Sequence, residues 1–248
     1  ENISRWLSYN NLNAYEIIRA DLPCCLYADL DFDFEDLPHL REVGADHAVQ
    51  VVEELMKQFV REKQQNSTEQ HAKLAEDMVV LKCVRPMQQS KQSYHLTWPN
   101  MKFRTYTSCR RFMLNFVRWM SLTDEGFRLC FIHRTPAGGE YGRSVLDLSV
   151  YSKNRMMRGI GQSKKDQSAV FAVSQGNPHD WMAQPMALIR GRKDPDVVAV
   201  MEATDALAEA SDFPDGLLHT QIHRLTGDNQ IRLARQKKTK KASKKKRK

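Results

Sequence analysis

Residues 24–34 of this chain read CCLYADLDFDF, an apolar run in which Asp29, Asp31 and Asp33 stand at alternate positions. Pro23 precedes the run, and an acidic turn follows it. An apolar run bounded by turn residues predicts a buried β-strand over residues 24–34. Side chains two residues apart on a strand point to the same face, so we expect Asp29 and Asp31 to lie side by side and Leu30 to point into the core.

Two neighbouring carboxylates on an otherwise apolar strand repel each other and are costly to remove from water. A divalent cation resolves this conflict, and carboxylate oxygens suit Mg²⁺ or Mn²⁺. The alternative is a strand end at which Asp29 and Asp31 are simply solvated, like the acids that follow them. The D-x-D pattern by itself leaves both interpretations open.

Asp147 lies in a second apolar stretch, residues 145–150, which read VLDLSV. A lone acid in an apolar strand needs a partner, because an isolated buried charge is costly. A third carboxylate would complete the set with which two metal ions hold the oxygens of a phosphoryl-transfer reaction. The alternative is a buried Asp147 that pairs with an arginine.

Ser93 and His95 share one face of a third predicted strand, with Tyr94 opposite and Lys91 on the same face. A serine hydroxyl and an imidazole can both donate hydrogen bonds to phosphate oxygens. The alternative is a hydrogen-bonded histidine on a half-buried strand. A serine nucleophile is disfavoured, because the G-x-S-x-G turn that exposes such a residue does not accompany the pair.

Basic residues cluster in two regions of the chain. Residues 78–123 contain no acid, and their bases alternate with aromatic residues that could stack on unpaired nucleic-acid bases or could form core. The second region follows Asp147 and contains Lys153, Arg155, Arg158, Lys164 and Lys165. Cations beside a metal site stabilise a triphosphate and the charge that develops in phosphoryl transfer.

Composition separates the chain into regions. The net charge is +8, but residues 237–248 hold nine Lys/Arg and no acid, so the remaining chain has 29 bases against 30 acids. We expect a catalytic core over residues 1–192, an acidic and partly helical segment over 193–236, and a disordered basic tail over 237–248. The first residue is Glu and not Met, so we expect an excised or processed piece of a longer chain.

The five cysteines include no C-x-x-C pair, which favours a reducing compartment and mostly buried free thiols. No apolar run is long enough to cross a membrane, so we expect no membrane partner.

Further along the chain we expect a helix capped near Asp46 and strands over 78–84 and 93–98, with Pro99 ending the second strand. We then expect a helix capped by Thr107 or Ser108, whose apolar face consists of Phe112, Met113, Phe116, Val117 and Met120. A strand over 127–133 would follow, then a turn at 136–139, and then a hairpin or strand pair over 144–151 and 156–161. The elements predict an α+β or α/β domain.

These motifs together resemble the catalytic core of the archaeo-eukaryotic primase superfamily, and most closely the eukaryotic and viral primase-polymerases. That family has D-x-D or D-x-E, then S-x-H, then an acid between two apolar residues on a strand. Residues 147–164 read DLSVYSKNRMMRGIGQSK, which is similar to the family signature D-x-x-V-Y-T-K-N-R-x-x-R-x-x-x-x-S-K. The resemblance covers about residues 23–165.

The resemblance implies an α+β fold in which a smaller αβ module packs beside an RRM-like catalytic sheet. It implies that Asp29, Asp31 and Asp147 bind Mn²⁺ or Mg²⁺. The residues implied to hold the triphosphate of a dNTP or NTP are Lys91, Ser93, His95, Arg155, Arg158 and Lys164. The implied activity is a DNA primase/polymerase acting on a single-stranded DNA template and primer, as a monomer with possible replication-protein partners, in replication restart or damage tolerance. The expected location is the nucleus, the mitochondrion or a virus-infected cell.

Departures from the family pattern limit this expectation. The interval between His95 and Asp147 is short, little sequence precedes Pro23, and the Cys/His zinc module that supports initiation is absent from this sequence. We therefore expect primer extension more than primer initiation. Two other classes fit part of the pattern: a non-catalytic single-strand-binding module and an Mn²⁺-dependent D-x-D glycosyltransferase.

Overall fold

The computed structural model describes residues 15–35, 38–63, 74–84, 90–134, 140–162, 170–175 and 194–209, and the fold below refers to these ranges. In chain order the elements are β1 (Tyr15–Ile18), β2 (Cys24–Asp33), α1 (His39–Val43), α2 (Ala45–Lys63), β3 (Val79–Val84), β4 (Lys91–Phe103), α3 (Tyr106–Met120), α4 (Asp124–Phe127), β5 (Cys130–Arg134), β6 (Glu140–Ser144), a 3₁₀ turn (Leu148–Val150), β7 (Arg155–Arg158), β8 (Val170–Gln175) and α5 (Pro195–Glu209).

The central sheet has four strands in the order β2–β4–β3–β8, and each neighbouring pair is antiparallel. Because β4 lies between β2 and β3, the first two strands of the sheet form a split β-α-β arrangement with α1 and α2 as the connection. The prediction of an α+β fold is confirmed. Its description as RRM-like stays a prediction.

Strand β4 extends through Pro99, so the prediction that this proline ends the strand is wrong. Leu26 pairs with Trp98 and Cys25 with Lys102, which leaves residues 99–101 as a bulge in β4. A bulge leaves residues out of the hydrogen-bonding ladder, so a proline without an N–H is tolerated there. The Pro99 carbonyl instead accepts a hydrogen bond from Lys102 Nζ at 2.7 Å.

Two amphipathic helices, α2 and α3, cover one face of the sheet, which we call the back face. Tyr94, opposite in direction to Ser93 and His95, donates a hydrogen bond to Asp46 of α2 at 2.9 Å. The apolar face predicted for α3 is fully buried, as expected from its spacing. The helix begins two or three residues earlier than predicted, because the Thr105 side chain accepts from the Ser108 N–H and forms the N-cap. Helix α2 likewise begins at Ala45, with Asp46 inside its first turn.

The aromatic residues of the acid-free stretch belong to the core. Six of them are buried and the seventh, Tyr106, packs half-buried against the same core; the six are Tyr94, Trp98, Phe103, Phe112, Phe116 and Trp119. The core interpretation is therefore confirmed for these residues, and stacking on nucleic-acid bases is not available to the six buried rings. Several of the bases pair with acids, among them Lys82 with Asp46 at 2.8 Å.

Two small hairpins flank the central sheet. Strand β5 pairs with β6, and it begins at Cys130 because residues 124–127 form the short helix α4. Strand β7 pairs with β1 near the N-terminus, so the predicted pairing of residues 156–161 with 144–151 is wrong. Asn154 precedes β7 with a φ of 54°, a left-handed conformation that asparagine tolerates better than most residues. The turn predicted at residues 136–139 lies outside the described residues.

Helix α5, from the acidic region, packs on α3 and β4. Its Leu207 and Ala208 join the main core, and the Ala208 carbonyl accepts from Asn115 Nδ2 at 3.2 Å. Arg104 contacts Glu202 at 2.6 Å. The division of the chain at residue 192 stays a prediction, and the basic tail lies outside the described residues.

All five cysteines are buried and free, as predicted. Within the described ranges no helix has the length and apolar character needed to span a membrane.

Candidate metal and nucleotide site

Three carboxylates meet on the front face of the sheet, opposite the helices. Asp29 and Asp31 lie on the same face of β2, as predicted, and Leu30 between them is fully buried. The fold brings Asp147 to this pair, so that one oxygen of each carboxylate lies within 4.8 Å of the other two. Clustered carboxylate oxygens of this kind can coordinate a hard divalent cation.

Asp147 reaches the cluster from a turn, so its predicted position inside a strand is wrong. Leu146 forms an isolated bridge with Leu30, and the flanking main chain pairs along the edge of β2. The Asp147 N–H donates to the Asp29 carbonyl at 2.8 Å, and the Asp31 N–H donates to the Val145 carbonyl at 3.1 Å. The chain then turns into the 3₁₀ segment, with Asp147 as its N-cap. The side chain is therefore held by backbone bonds to the strand that carries the other two acids.

Two buried tyrosines hold this turn against β2. The Tyr27 hydroxyl donates to the Val150 carbonyl at 3.3 Å, and the Tyr151 hydroxyl donates to the Tyr27 carbonyl. Their ring centroids are 4.8 Å apart. The tyrosine of the V-Y-S-K-N-R stretch thus has a structural task, which is to fix the turn that presents Asp147.

Asp147 also has local partners, including an arginine that sequence reasoning missed. Arg143 Nη2 lies 3.2 Å from Asp147 Oδ1, while the Ser149 N–H and hydroxyl donate to the two carboxylate oxygens at 3.0 and 2.9 Å. The pairing of Asp147 with an arginine, weighed as an alternative to metal binding, is therefore present. It occurs together with the carboxylate cluster, so the two interpretations are compatible. Only the turn geometry brings Arg143 to Asp147, and no sequence pattern marks it.

Strand β4 places a second row of polar residues directly opposite the acids. Asp29 faces His95, Asp31 faces Ser93 and Asp33 faces Lys91 in the strand register. Ser93 Oγ donates to Asp31 Oδ1 at 2.6 Å, and Lys91 Nζ lies 3.0 Å from Asp33 Oδ2. The predicted common face of Lys91, Ser93 and His95 is thus present and adjoins the acidic cluster.

His95 is almost fully buried, and its ring orientation follows from its partners. Its Nδ1 lies 3.0 Å from the Arg158 carbonyl oxygen, which can only accept, so Nδ1 carries the proton. Its Nε2 faces Asp29 Oδ1 at 3.7 Å. Burial, and next the Arg158 charge, lower the pKa of His95 to about 3, so the ring is neutral near pH 7 in the metal-free protein.

Asp29 is the electrostatically costly member of the cluster. Burial raises its pKa to about 8, with further contributions from Asp31 and Asp147, while Arg158 and Arg155 act in the opposite direction. Its Oδ1 is buried and has no hydrogen-bond partner. An orphaned carboxylate oxygen beside two other carboxylates is a site that a divalent cation fits, so the donor set suits Mg²⁺ or Mn²⁺.

Of the three basic residues after Asp147 that are predicted to hold a triphosphate, the structure describes Arg155 and Arg158. Arg158 lies beside the site, with its guanidinium carbon 4.6 Å from the ring centroid of Phe171. Arg155 begins β7, and its Nε is buried without a hydrogen-bond partner. Lys164 lies outside the described residues. Phe171, which also stacks on His95, is a second residue that sequence reasoning missed.

Metal affinity is expected to depend on pH through Asp29. Because its pKa in the folded protein lies above the ordinary value of 3.8, the metal-free fold loses stability as the pH rises towards about 8. A cation must displace the remaining proton, so Mn²⁺ affinity should rise by up to about tenfold per pH unit below about pH 8. Calorimetric titration with Mn²⁺ at several pH values measures this slope, and Asp29→Asn should flatten it. An affinity of the wild type that is independent of pH would contradict the expectation.

Comparison with known proteins finds two viral proteins that are similar to part of this chain. No protein-family model matches the chain. Two proteins of Ostreid herpesvirus 1 (isolate France) are similar to it: "Uncharacterized protein ORF49", 29% identical over 158 residues, and a protein named "Putative primase", 28% identical over 155 residues. The matches cover 63% and 62% of this chain but 13% of each relative, so the chain spans a small part of their length. They support a relation to a primase at the level of partial similarity.

Proposed function

We propose that this chain is the catalytic core of a DNA primase/polymerase of the archaeo-eukaryotic primase superfamily, a template-directed nucleotidyltransferase. The observation that carries the proposal is the convergence of Asp29, Asp31 and Asp147 to within 4.8 Å. Basic side chains adjoin this cluster: Arg143 lies 3.2 Å from Asp147, and Lys91 lies 3.0 Å from Asp33 on the same strand face. The partial similarity to a viral protein named "Putative primase" supports it.

In this proposal the chain's residues divide between metal and triphosphate. Asp29, Asp31 and Asp147 hold Mg²⁺ or Mn²⁺, which would supply the positive charge that stabilises the attacking oxygen, the α-phosphate and the leaving pyrophosphate. The triphosphate is held by Lys91, Ser93, His95, Arg155, Arg158 and Lys164. Because His95 Nδ1 already donates to the Arg158 carbonyl, the ring takes up a proton at Nε2 in order to donate to a phosphate oxygen. Ser93 and Lys91, which pair with acids in the structure, exchange those partners for phosphate oxygens when a nucleotide binds.

The proposed substrates are a single-stranded DNA template, a primer and dNTPs or NTPs. The proposed setting is replication restart or damage tolerance, with the chain acting as a monomer beside replication proteins in the nucleus, the mitochondrion or a virus-infected cell. We further propose that residues 1–192 form the catalytic core, on which helix α5 of the acidic segment packs, and that residues 237–248 are a separate basic tail.

Extension of a labelled primer on a single-stranded template tests the proposal. The chain should extend the primer in Mn²⁺ or Mg²⁺, stop in EDTA, and incorporate the nucleotide that the template specifies. An unprimed template in the same experiment distinguishes primer initiation from extension. Failure to extend a primer with either metal would contradict the proposal.

The same preparation distinguishes the two other classes. A non-catalytic single-strand-binding module would bind DNA with an affinity that does not respond to metal or nucleotide, and burial of the aromatic residues in the acid-free stretch disfavours it. A D-x-D glycosyltransferase would hydrolyse a sugar nucleotide in Mn²⁺ and would not bind DNA.

A further inference from the structure

Phe171 lies beside the candidate site, on a strand far along the chain from the three carboxylates. It is fully buried on β8, where it pairs with Cys83 of β3. The Gly161 N–H donates to the Phe171 carbonyl at 2.8 Å, and the Phe171 N–H donates to the Gln162 carbonyl at 3.2 Å. These bonds fix its position relative to the segment that follows β7.

The Phe171 ring contacts two of the residues proposed to hold the triphosphate. The His95 imidazole stacks on it, with ring centroids 3.9 Å apart and an interplanar angle of 26°. The Arg158 guanidinium carbon lies 4.6 Å from the centroid of the same ring. His95 Nδ1 also donates to the Arg158 carbonyl at 3.0 Å. Residues from β4, β7 and β8 are thereby joined in one contact group.

An aromatic ring holds these two groups in a way that an aliphatic side chain cannot. A guanidinium over a ring face is attracted by the ring's quadrupole, and the attraction grows where water is excluded. Arginine has a long flexible side chain, so holding it in place beforehand reduces the entropy that is lost when it binds a phosphate. Stacking also fixes the plane of the imidazole.

We propose that Phe171 is a positioning residue for the incoming nucleotide, because its ring holds the Arg158 guanidinium and the His95 imidazole where both reach the triphosphate. This inference rests on the proposed nucleotidyltransferase function. Phe171 acts through Arg158 and His95, without touching the reacting atoms.

Steady-state kinetics of Phe171→Leu test this role. Loss of a desolvated cation–π contact should raise KM for the incoming dNTP about tenfold, whereas kcat should change less than about threefold. Phe171→Tyr keeps the ring face and should restore most of the affinity. Val173→Ala is the matched control, because it removes apolar volume from the same strand face, opposite Leu81, and leaves the ring in place; its KM should equal that of the wild type.

A double-mutant cycle with Arg158→Lys separates positioning from general loosening of the fold. If Phe171 acts through Arg158, the KM of the double variant should be within about twofold of the worse single variant, while losses that multiply would contradict the role. Phe171→Met replaces Phe171→Leu in the cycle if the latter does not fold.

Binding of a fluorescent dNTP without turnover distinguishes failure of the proposed function from failure of the positioning role of Phe171. If the wild type neither binds nucleotide nor extends a primer, the proposed function is wrong and the role of Phe171 with it. If the wild type does both and Phe171→Leu has the same KM and nucleotide affinity, only the positioning role is wrong.

Discussion

Asp31→Asn is expected to lower the rate of primer extension about a thousandfold, since removing a metal ligand forfeits several kcal/mol of charge stabilisation and each ~1.4 kcal/mol is a factor of ten. Asp31 is the exposed member of the carboxylate cluster, so its replacement leaves the core intact. The amide also keeps an oxygen that can accept from Ser93 Oγ. The change therefore removes a charge and a ligand with little effect on the fold.

The rate is measured by extension of a primed template at saturating dNTP, in Mg²⁺ and separately in Mn²⁺. Glu35→Gln is the matched control, because it removes one negative charge from an exposed residue just beyond β2 and outside the cluster. Glu35→Gln should retain wild-type activity, and both variants should keep the wild-type melting temperature. If Asp31→Asn extended primers as fast as Glu35→Gln, the metal-ligand role of this carboxylate would be wrong.

Phe59→Ala is expected to destabilise the fold by about 3–5 kcal/mol, the range for truncating a buried phenylalanine. Phe59 lies on α2, is fully buried, and contacts three aromatic rings of α3. Its centroid distances are 5.4 Å to Phe112, 5.6 Å to Phe116 and 5.3 Å to Trp119. Alanine would leave a cavity at the centre of the contact between the two helices that cover the back of the sheet.

Urea denaturation followed by circular dichroism measures this loss. Phe59→Leu, which keeps most of the apolar volume, should lose much less stability than Phe59→Ala. A loss below about 1 kcal/mol for Phe59→Ala would show that the α2–α3 contact contributes little to folding. Because Phe59 lies behind the sheet, variants that fold should keep their metal affinity.

Local periodicity was enough to predict much of the fold. Alternation on β2 correctly places Asp29 and Asp31 together with Leu30 behind them, because successive side chains of a strand point to opposite faces. Helical spacing likewise predicts the buried face of α3. The same spacing could not decide whether the aromatic residues of the acid-free stretch stack on nucleic acid, since an apolar helix face looks alike in both cases.

The predictions that were wrong concern positions at which a tertiary contact or the backbone geometry outweighs a local sequence rule. Pro99 is a strand breaker by its chemistry, yet the bulge opposite Cys25 and Leu26 accommodates it. Thr105 was missed as a helix cap because several hydroxyl residues in a row can serve, and backbone geometry selects one. The strand predicted around Asp147 is an isolated bridge between Leu146 and Leu30, followed by a 3₁₀ turn.

The sequence by itself determined that the chain mixes helices and strands, that two carboxylates share a strand face, and that Lys91, Ser93 and His95 share another. These features depend on residues a few positions apart, whose relative directions follow from the backbone period. Only the tertiary structure decided that the acids of β2 and the polar residues of β4 lie on the same face of the sheet. It also decided that Asp147 joins the two acids, and that Arg143 and Phe171 contact residues of this site. Apart from the contact between Arg143 and Asp147, those contacts join distant parts of the chain. All of them depend on strand register and turn geometry, which no local pattern encodes.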